Sequence, residues 1–130
     1  MQEDGQQLRD FVNVRDVVDA HLLVLNNNRA NYEVFNVGSG QPTRVFDLAQ
    51  TVIQITGNHL IPQMPGEYRI GSPRHTLLNI DKLVRLGWQP KRKLQDSVRE
   101  YVDWVRKYPH AIDYWKKTYR NMRREKILKQ

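Results

Sequence analysis

Cysteine is absent from the 130-residue sequence, which excludes a disulfide framework and any metal site built on thiolates. The longest apolar stretches are far shorter than the roughly 20 residues needed to cross a bilayer. The first residues, Met1 to Gly5, lack the charged and apolar regions of a secretory signal. A chain without cysteine is easiest to reconcile with a reducing compartment, so we expect a cytoplasmic protein with no part in a membrane.

Signatures of several enzyme classes are also missing. The sequence has no Gly-x-Ser-x-Gly motif of a serine hydrolase, and its four histidines lack the i,i+4 spacing of a helical metal pair. Gly38-Ser39-Gly40 is similar to the opening of a dinucleotide-binding motif, but the third glycine is absent. Such a triplet alone is more often a tight turn, so these residues predict neither a metal site nor a dinucleotide site.

The formal net charge of +7 belongs to one end of the sequence. Residues 1–100 contain 12 Lys/Arg and 11 Asp/Glu, whereas residues 101–130 contain 9 and 3. A charge excess confined to a tail says little about the ligand of the balanced body. The charge therefore does not by itself indicate a nucleic-acid-binding protein.

Strand and helix patterns alternate along the chain. Alternating apolar residues predict strands at 8–14 and 32–37, and helical periods are found at 16–25, 45–55, 79–86, 94–108 and 111–128. Asp16 is the expected N-cap of the first helix, and a Gly/Pro-rich irregular loop is expected between residues 58 and 76. These patterns predict an α/β fold with few strands and four or five helices. So few strands make a poor independent sheet, which indicates a portion of a larger unit.

The dipeptide Asp4-Gly5, common in β-hairpin turns, precedes the first predicted strand. A hairpin needs a strand on each side, yet only three residues precede this turn. Either the turn belongs to a frayed terminus or its partner strand has been removed. We prefer the second interpretation.

Arginines lie near the ends of predicted elements: Arg9 opens a strand, and Arg69 and Arg74 lie in the Gly/Pro-rich loop. A guanidinium presents a planar fork of donors that matches phosphate oxygens and stays charged at neutral pH. Each arginine taken alone is more often solvated or paired with a carboxylate.

Four segments, in order, resemble motifs of one family. Residues 9–18 (RDFVNVRDVV) are similar to its RDFVYVDDVV segment, and residues 35–40 (FNVGSG) to its FNVGSG segment. Residues 69–76 (RIGSPRHT) resemble RPGDxRHT, and residues 79–90 (NIDKLVRLGWQP) resemble DISKxxxxLGWxP. These are motifs of the extended short-chain dehydrogenase/reductases, the NAD-dependent epimerase/dehydratase family of nucleotide sugars.

The resemblance implies that this chain is the C-terminal substrate-binding portion of such an enzyme, with the Rossmann domain missing. In that family the Rossmann domain holds NAD(P), and the C-terminal part closes over the nucleotide-diphosphate sugar. Arg9 and Arg69 would grip the diphosphate, and Asn36 would hydrogen-bond the same region. Gly71 and Ser72 would line the loop beside it. Two guanidinium groups would offset the unfavourable desolvation of a diphosphate.

Structural roles compete with these assignments. Asn36 could merely cap a turn, because asparagine readily bonds nearby backbone. Five other motif residues are expected to be architectural, the first four as anchors and the last in the core: Asp10, Asp16, Arg74, His75 and Trp88.

The chain departs from the family pattern in two ways. Ile70 and Ser72 stand where members often carry Pro and Asp, which puts sugar contacts of this loop in doubt. The Tyr-x-x-x-Lys catalytic pair is absent as well: the nearest candidate, Tyr114, has Thr118 in the place of the lysine. We therefore expect no catalytic residue and no bound cofactor in this chain alone, with NAD(P) bound by the full-length parent.

The sequence suggests a body over residues 1–108 and a basic aromatic helical tail over residues 109–130. The tail either packs its aromatic face on the body, which we prefer, or binds an anionic surface such as nucleic acid. The second possibility leaves an alternative function open, a small basic binding module for nucleic acid or a protein partner. A nucleotide-diphosphate sugar remains the expected ligand, and nucleic acid is not.

Overall fold

A computed structural model of the chain describes residues 4–108 and 111–129. Its elements in chain order are β1 (Leu8–Asp10), α1 (Val14–Leu25), a 3₁₀ helix (Asn28–Ala30), β2 (Pro42–Arg44), α2 (Val45–Thr56), β3 (Tyr68–Arg69), α3 (Asp81–Arg85), α4 (Leu94–Lys107), α5 (Ala111–Arg124) and β4 (Leu128–Lys129). The predicted α/β class, with few strands and four or five helices, is confirmed. Pro109, expected to separate the last two helices, lies outside the described residues.

β1 pairs with β2 in an antiparallel ladder, Leu8 opposite Arg44 and Asp10 opposite Pro42. On its other side, Arg9 forms an isolated parallel bridge with Thr76. Among the described residues, both neighbours of β1 therefore come from later in the chain. The interpretation that a partner strand before Asp4 has been removed stays a prediction. β2 was missed because three residues with a proline carry no alternating signal.

α1 begins earlier than its sequence pattern indicates. Asn13 is the N-cap, and its side-chain oxygen accepts a hydrogen bond of 2.8 Å from the backbone N–H of Arg15. The predicted strand over residues 8–14 therefore ends at Asp10, and the prediction that Asp16 is the cap is wrong. Asp16 lies in the first helical turn instead, where its buried carboxylate accepts a bond of 2.6 Å from the Arg92 guanidinium.

The core is formed where α1 meets α3 and the segment that follows α3. Ala20, Leu83 and Trp88 are buried together, and Leu83 is fully shielded from solvent. The Trp88 indole N–H donates a bond of 3.1 Å to the carbonyl of Asp16, so a polar ring atom inside the core is satisfied. The predicted core position of Trp88 is confirmed.

Residues 32–37 do not form the predicted strand. They run without ladder pairing to any other described residue, between a turn and the Gly38-Ser39-Gly40 loop. Phe35 and Val37 pack against the core, whereas Val34 is exposed. The alternating pattern is therefore real, but a strand also needs a hydrogen-bonding neighbour, and the described chain supplies none here.

α2 and α4 pack against each other and complete the body. Gly57 ends α2 in the left-handed conformation expected of a glycine C-cap, with φ of 69°. Val98 of α4 is buried. The Asn13 side chain also donates a bond of 3.0 Å to the Ser97 hydroxyl, which ties the start of α1 to α4.

The prediction of one helix from residue 111 to residue 128 is wrong at its C-terminal end. α5 ends at Arg124, the chain reverses with Lys126 at a φ of 54°, and β4 pairs antiparallel with β3. Tyr68 lies opposite Lys129 and Arg69 opposite Leu128. The helical period cannot reveal this end, because pairing with a strand that is distant in sequence is not a local property.

Candidate functional site

Arg9 uses much of its guanidinium to hold the protein together. Nη1 donates to the carbonyls of Leu8 at 2.8 Å and Arg74 at 2.6 Å, and Nη2 donates to the carbonyl of Pro73 at 3.0 Å. A guanidinium carries five N–H donors, so these three bonds leave two for a ligand. The side chain fastens residues 73–74 to β1.

The same stretch is fastened to the N-terminal segment by further bonds. The backbone N–H of Leu8 donates to His75 Nδ1 at 3.1 Å, and the N–H of Thr76 donates to the carbonyl of Leu8 at 3.0 Å. Arg74 pairs with Asp4 at 2.6 Å, and this hydrogen bond from Arg74 lowers the pKa of the Asp4 carboxyl below its ordinary value. Arg74 and His75 thus make the architectural contacts expected of them.

Asp10, at the end of β1, organises the Gly38-Ser39-Gly40 loop. Its carboxylate accepts bonds from the backbone N–H of Ser39 at 2.5 Å, the Ser39 hydroxyl at 2.7 Å and the N–H of Gly40 at 3.2 Å. A Cβ on Gly38 would lie 2.5 Å from this carboxylate, so only glycine leaves room for it. The glycines thus let this loop close around the Asp10 carboxylate. Asp10 and Asp16 are both the structural anchors that the sequence predicted.

Asn36 is exposed, and its amide donates to the carbonyl of Asn79 at 3.2 Å. This bond holds the unpaired segment 32–37 beside the chain that follows Thr76. The amide oxygen of Asn36 has no hydrogen-bond donor among the described residues. The assignment of Asn36 to a ligand stays a prediction, and a structural bond exists beside it.

Arg69 differs from Arg9 in having no side-chain partner within residues 4–108 and 111–129. It is exposed on β3, and the N–H of Ser72 donates to its carbonyl at 3.1 Å in a tight turn. Gly71 has a φ of 76° in this turn, a conformation in which a side chain would be strained. The guanidinium is therefore free to meet an anion.

An open cavity of about 450 Å³ adjoins this turn. Its lining residues are Asp4, Gly66, Tyr68, Ser72 and Arg74. Arg9 bonds to the backbone of residues 73–74, which directly follow the turn with Arg69, Gly71 and Ser72. Asn36 bonds to Asn79, a few residues further along the same segment. All three predicted diphosphate ligands thus contact or belong to residues 69–79.

Sequence reasoning missed a buried carboxylate in this loop. Glu67 accepts a bond of 2.6 Å from the Tyr119 hydroxyl and another from the Arg123 guanidinium, both on α5. The bond from Tyr119, followed by that from Arg123, lowers the pKa of Glu67, and the same contact raises the pKa of Tyr119. The i,i+4 spacing of Tyr119 and Arg123 puts both on one helix face, but no local signal names Glu67 as their target.

The described residues were also compared with the requirements of a metal site and of a membrane-spanning helix. No group of three or more His, Cys, Asp or Glu side chains there could hold a metal ion. None of the helices seen over residues 4–108 and 111–129 is long and apolar enough to cross a bilayer.

The chain is similar in sequence and in structure to known proteins. Residues 1–38 match the model of the NAD dependent epimerase/dehydratase family. The chain is 35% identical to dTDP-L-rhamnose 4-epimerase of Burkholderia thailandensis over 104 residues, covering 79% of this chain and 28% of that protein. The chain belongs to this family. The similarity extends far beyond the residues that match the family model.

Two UDP-glucose 4-epimerases support the same assignment. That of Halalkalibacterium halodurans is 31% identical over 113 residues, which is 84% of this chain and 34% of the relative. The crystal structure of the Thermotoga maritima enzyme with UDP-glucose is 36% identical, with a TM-score of 0.74 over 82% of this chain and 34% of that one. The epimerase-family chain thus spans about a third of the length of these relatives, as expected for a C-terminal portion of an extended short-chain dehydrogenase.

Proposed function

We propose that this chain binds the diphosphate of a nucleotide sugar, as the substrate-binding portion of an NAD(P)-dependent sugar-nucleotide epimerase or dehydratase. The observation that carries the proposal is Arg69. Its guanidinium is exposed and has no partner among the described residues, on a loop that is itself anchored. An unpaired cation on an anchored loop is suited to bind an anion at little further ordering cost.

The charges around the loop favour a ligand with two phosphates. Arg74 is already paired with Asp4, so it adds little net positive charge. Arg69 and the two remaining donors of Arg9 are left, and they reach the loop from different elements, β3 and β1. Two forks of this kind match the oxygens of a diphosphate better than those of a single phosphate.

The relatives narrow the ligand class without selecting a base or sugar. One is an epimerase of dTDP-L-rhamnose, another is an epimerase of UDP-glucose, and a solved relative holds UDP-glucose. The diphosphate and its attached sugar are what these ligands share. We therefore propose a nucleotide-diphosphate sugar as the ligand class for this chain.

The chain is proposed to be catalytically incomplete and to act with an NAD(P)-binding Rossmann portion. It lacks the glycine-rich dinucleotide motif and the Tyr-x-x-x-Lys pair. α1 also presents an apolar stripe at helical spacing, with side chains between 51% and 79% exposed: Val14, Val18, Leu22 and Leu25. A helix face of this kind is normally covered, and relatives about three times as long supply a domain able to cover it.

The binding test is calorimetry of the 130-residue chain with UDP-glucose and dTDP-L-rhamnose. Arg69→Ala should weaken binding by about ten-fold to a hundred-fold, the loss expected for hydrogen bonds to a charged group. Arg85→Ala is the matched control, because Arg85 is exposed on α3 and has no side-chain partner among the described residues. Absence of binding, or equal binding by Arg69→Ala and the wild type, contradicts the proposal.

The incompleteness is tested separately by turnover with NAD⁺. The chain alone should show none, whereas mixing it with the separately expressed Rossmann portion of a relative should restore epimerisation. Leu22→Asp, which charges the exposed stripe of α1, should prevent this restoration, and Gln50→Asp on the exposed side of α2 should not. Turnover by the chain alone would overturn this part of the proposal.

A further inference from the structure

Glu67 is an unusual residue for its surroundings. It lies in the exposed Gly/Pro-rich loop, next to the exposed Gly66 and two residues before Arg69, yet only 5% of it is accessible. A carboxylate removed from water is unfavourable unless hydrogen bonds and opposite charge compensate it. The compensation comes from the tail.

Tyr119 and Arg123 both donate to this carboxylate, one to each oxygen: Tyr119 to Oε2 at 2.6 Å and Arg123 to Oε1. The Arg123 guanidinium also lies 5.2 Å from the centroid of the Tyr119 ring, so the two donors support each other. Because they are one helical turn apart on α5, a single helix face meets Glu67.

A second connection lies on the other side of Arg69. β3 pairs with β4, and the N–H of Ile70 donates to the carbonyl of Ile127 at 3.0 Å. Arg69 is thus held between a side-chain contact at Glu67 and a backbone bond at Ile70. Both partners belong to the tail, and neither is near in sequence.

We propose that the tail holds the Arg69 loop in place for the diphosphate, through Glu67 gripped by Tyr119 and Arg123 and through the pairing of β4 with β3. This inference rests on the proposed function, since it assigns a purpose to the position of Arg69. Glu67, Tyr119 and Arg123 are positioning residues that touch no ligand. An arginine on an untethered two-residue strand would have to be ordered on binding, which lowers affinity.

The proposal also assigns a role to the basic tail. Arg123 neutralises a carboxylate of the body, and Arg69 opposite Leu128 depends on the tail for its backbone pairing. The tail then supports the diphosphate site, and its contacts with Glu67 and β3 need no nucleic acid to explain them.

The first experiment measures loop position without any ligand, by amide hydrogen exchange of Ile70. Arg123→Gln should speed this exchange roughly ten-fold or more, since the carboxylate loses a charge-assisted bond and the loop opens more often. Arg123→Lys should recover part of the protection. Arg120→Gln, on the same helix and exposed, should leave it unchanged. The amide of Trp88, bonded to Leu83 in the core, reports global unfolding and should not respond.

The second experiment asks whether the tail acts through Arg69. Arg123→Gln and Tyr119→Phe should raise the Kd for UDP-glucose or dTDP-L-rhamnose several-fold to roughly ten-fold. In an Arg69→Ala background the same substitutions should change the Kd less than about two-fold, because the group that they position is gone. Arg120→Gln should have no effect in either background.

The outcomes separate this inference from the proposed function. Unchanged exchange at Ile70 in Arg123→Gln overturns the inference even if the wild type binds nucleotide sugars. Faster exchange with equal losses of affinity in both backgrounds also overturns it, because the tail then does not act through Arg69. If the wild type binds no nucleotide sugar, the proposed function fails, and so does the purpose assigned to the position of Arg69. Faster exchange at Ile70 in Arg123→Gln would in that case still establish that the tail supports the loop.

Discussion

The region around β1 and the region around β3 each present one arginine of the expected diphosphate pair, but they use it differently. β1 has neighbours on both sides, and Arg9 donates to three carbonyls. β3 has two residues, pairs only with the tail among the described residues, and leaves Arg69 without a partner. The same residue type is thus part of the framework in one region and available to a ligand in the other.

The difference extends to the carboxylates of the two regions. Near β1, Asp10 and Asp16 bind a neighbouring loop and Arg92 inside the body. Near β3, Glu67 binds the tail. Stability should therefore depend on the first region, and ligand affinity more on the second.

The largest expected effect is a loss of stability from a substitution in the core of the body. Leu83→Ala removes a fully buried side chain from the core and should lower the free energy of unfolding by about 2–5 kcal/mol, measured by urea denaturation. Leu60→Ala is the control, because Leu60 is 68% exposed, and its effect should stay within about 0.5 kcal/mol. Equal effects of the two substitutions would contradict the placement of the core.

A direct comparison of Arg9→Ala with Arg69→Ala comes next. Arg9→Ala leaves the carbonyls of residues 73–74 without their donors and should lower the free energy of unfolding by about 1–3 kcal/mol. Arg69→Ala removes no bond within the described residues and should leave it nearly unchanged. The measurement is the urea midpoint of each variant, and coincident midpoints would remove the distinction between the two arginines.

A pH titration tests the contact between loop and tail. The folded pKa of Glu67 is lowered, so the contact is fully present above the ordinary value of 4.5 and is lost as pH falls through the lower folded value. The pKa of Tyr119 is raised, so its contribution is present below its ordinary value of 10.0 and is lost as pH rises through the higher folded value. The chemical shift of the Ile70 amide should therefore titrate with a midpoint below 4.5.

Glu67→Gln supplies the matched control for that titration. The variant has no carboxyl at this position, so the acid transition at Ile70 should disappear. A transition of unchanged midpoint in Glu67→Gln would assign the pH dependence to another group.

The smallest expected effect concerns the turn after Arg69. Gly71 has a positive φ with open space around it, so Gly71→Ala should be destabilising by about 1 kcal/mol through backbone strain alone. Gly71→Asn should cost less, because asparagine tolerates this conformation better. Thermal midpoints of the two variants provide the measurement, and an equal or larger loss with asparagine would argue against strain as the cause.

Several boundaries could be predicted because their signals are local. Gly57 ends α2 by its freedom to adopt a left-handed conformation, and the helical periods of α2 and α4 follow from side chains three and four residues apart. The cap of α1 was misplaced because both Asn13 and Asp16 suit an N-cap, and only the chain direction at Asn13 selects between them. Residues 32–37 have the pattern of a strand, but pairing depends on a neighbour that the pattern does not contain.

By itself, the sequence determined the α/β class, the family motifs, and the set of Arg9, Asn36 and Arg69 as a hypothesis, because periodicity and motif order can be read along one chain. Tertiary structure alone decided that Arg9 is largely occupied, that Arg69 is free, and that Glu67 is buried against Tyr119 and Arg123. These facts depend on tertiary contacts between segments that are distant in sequence. Such contacts decide whether a charged side chain is paired within the protein or available to a ligand, and a local sequence pattern contains no information about them.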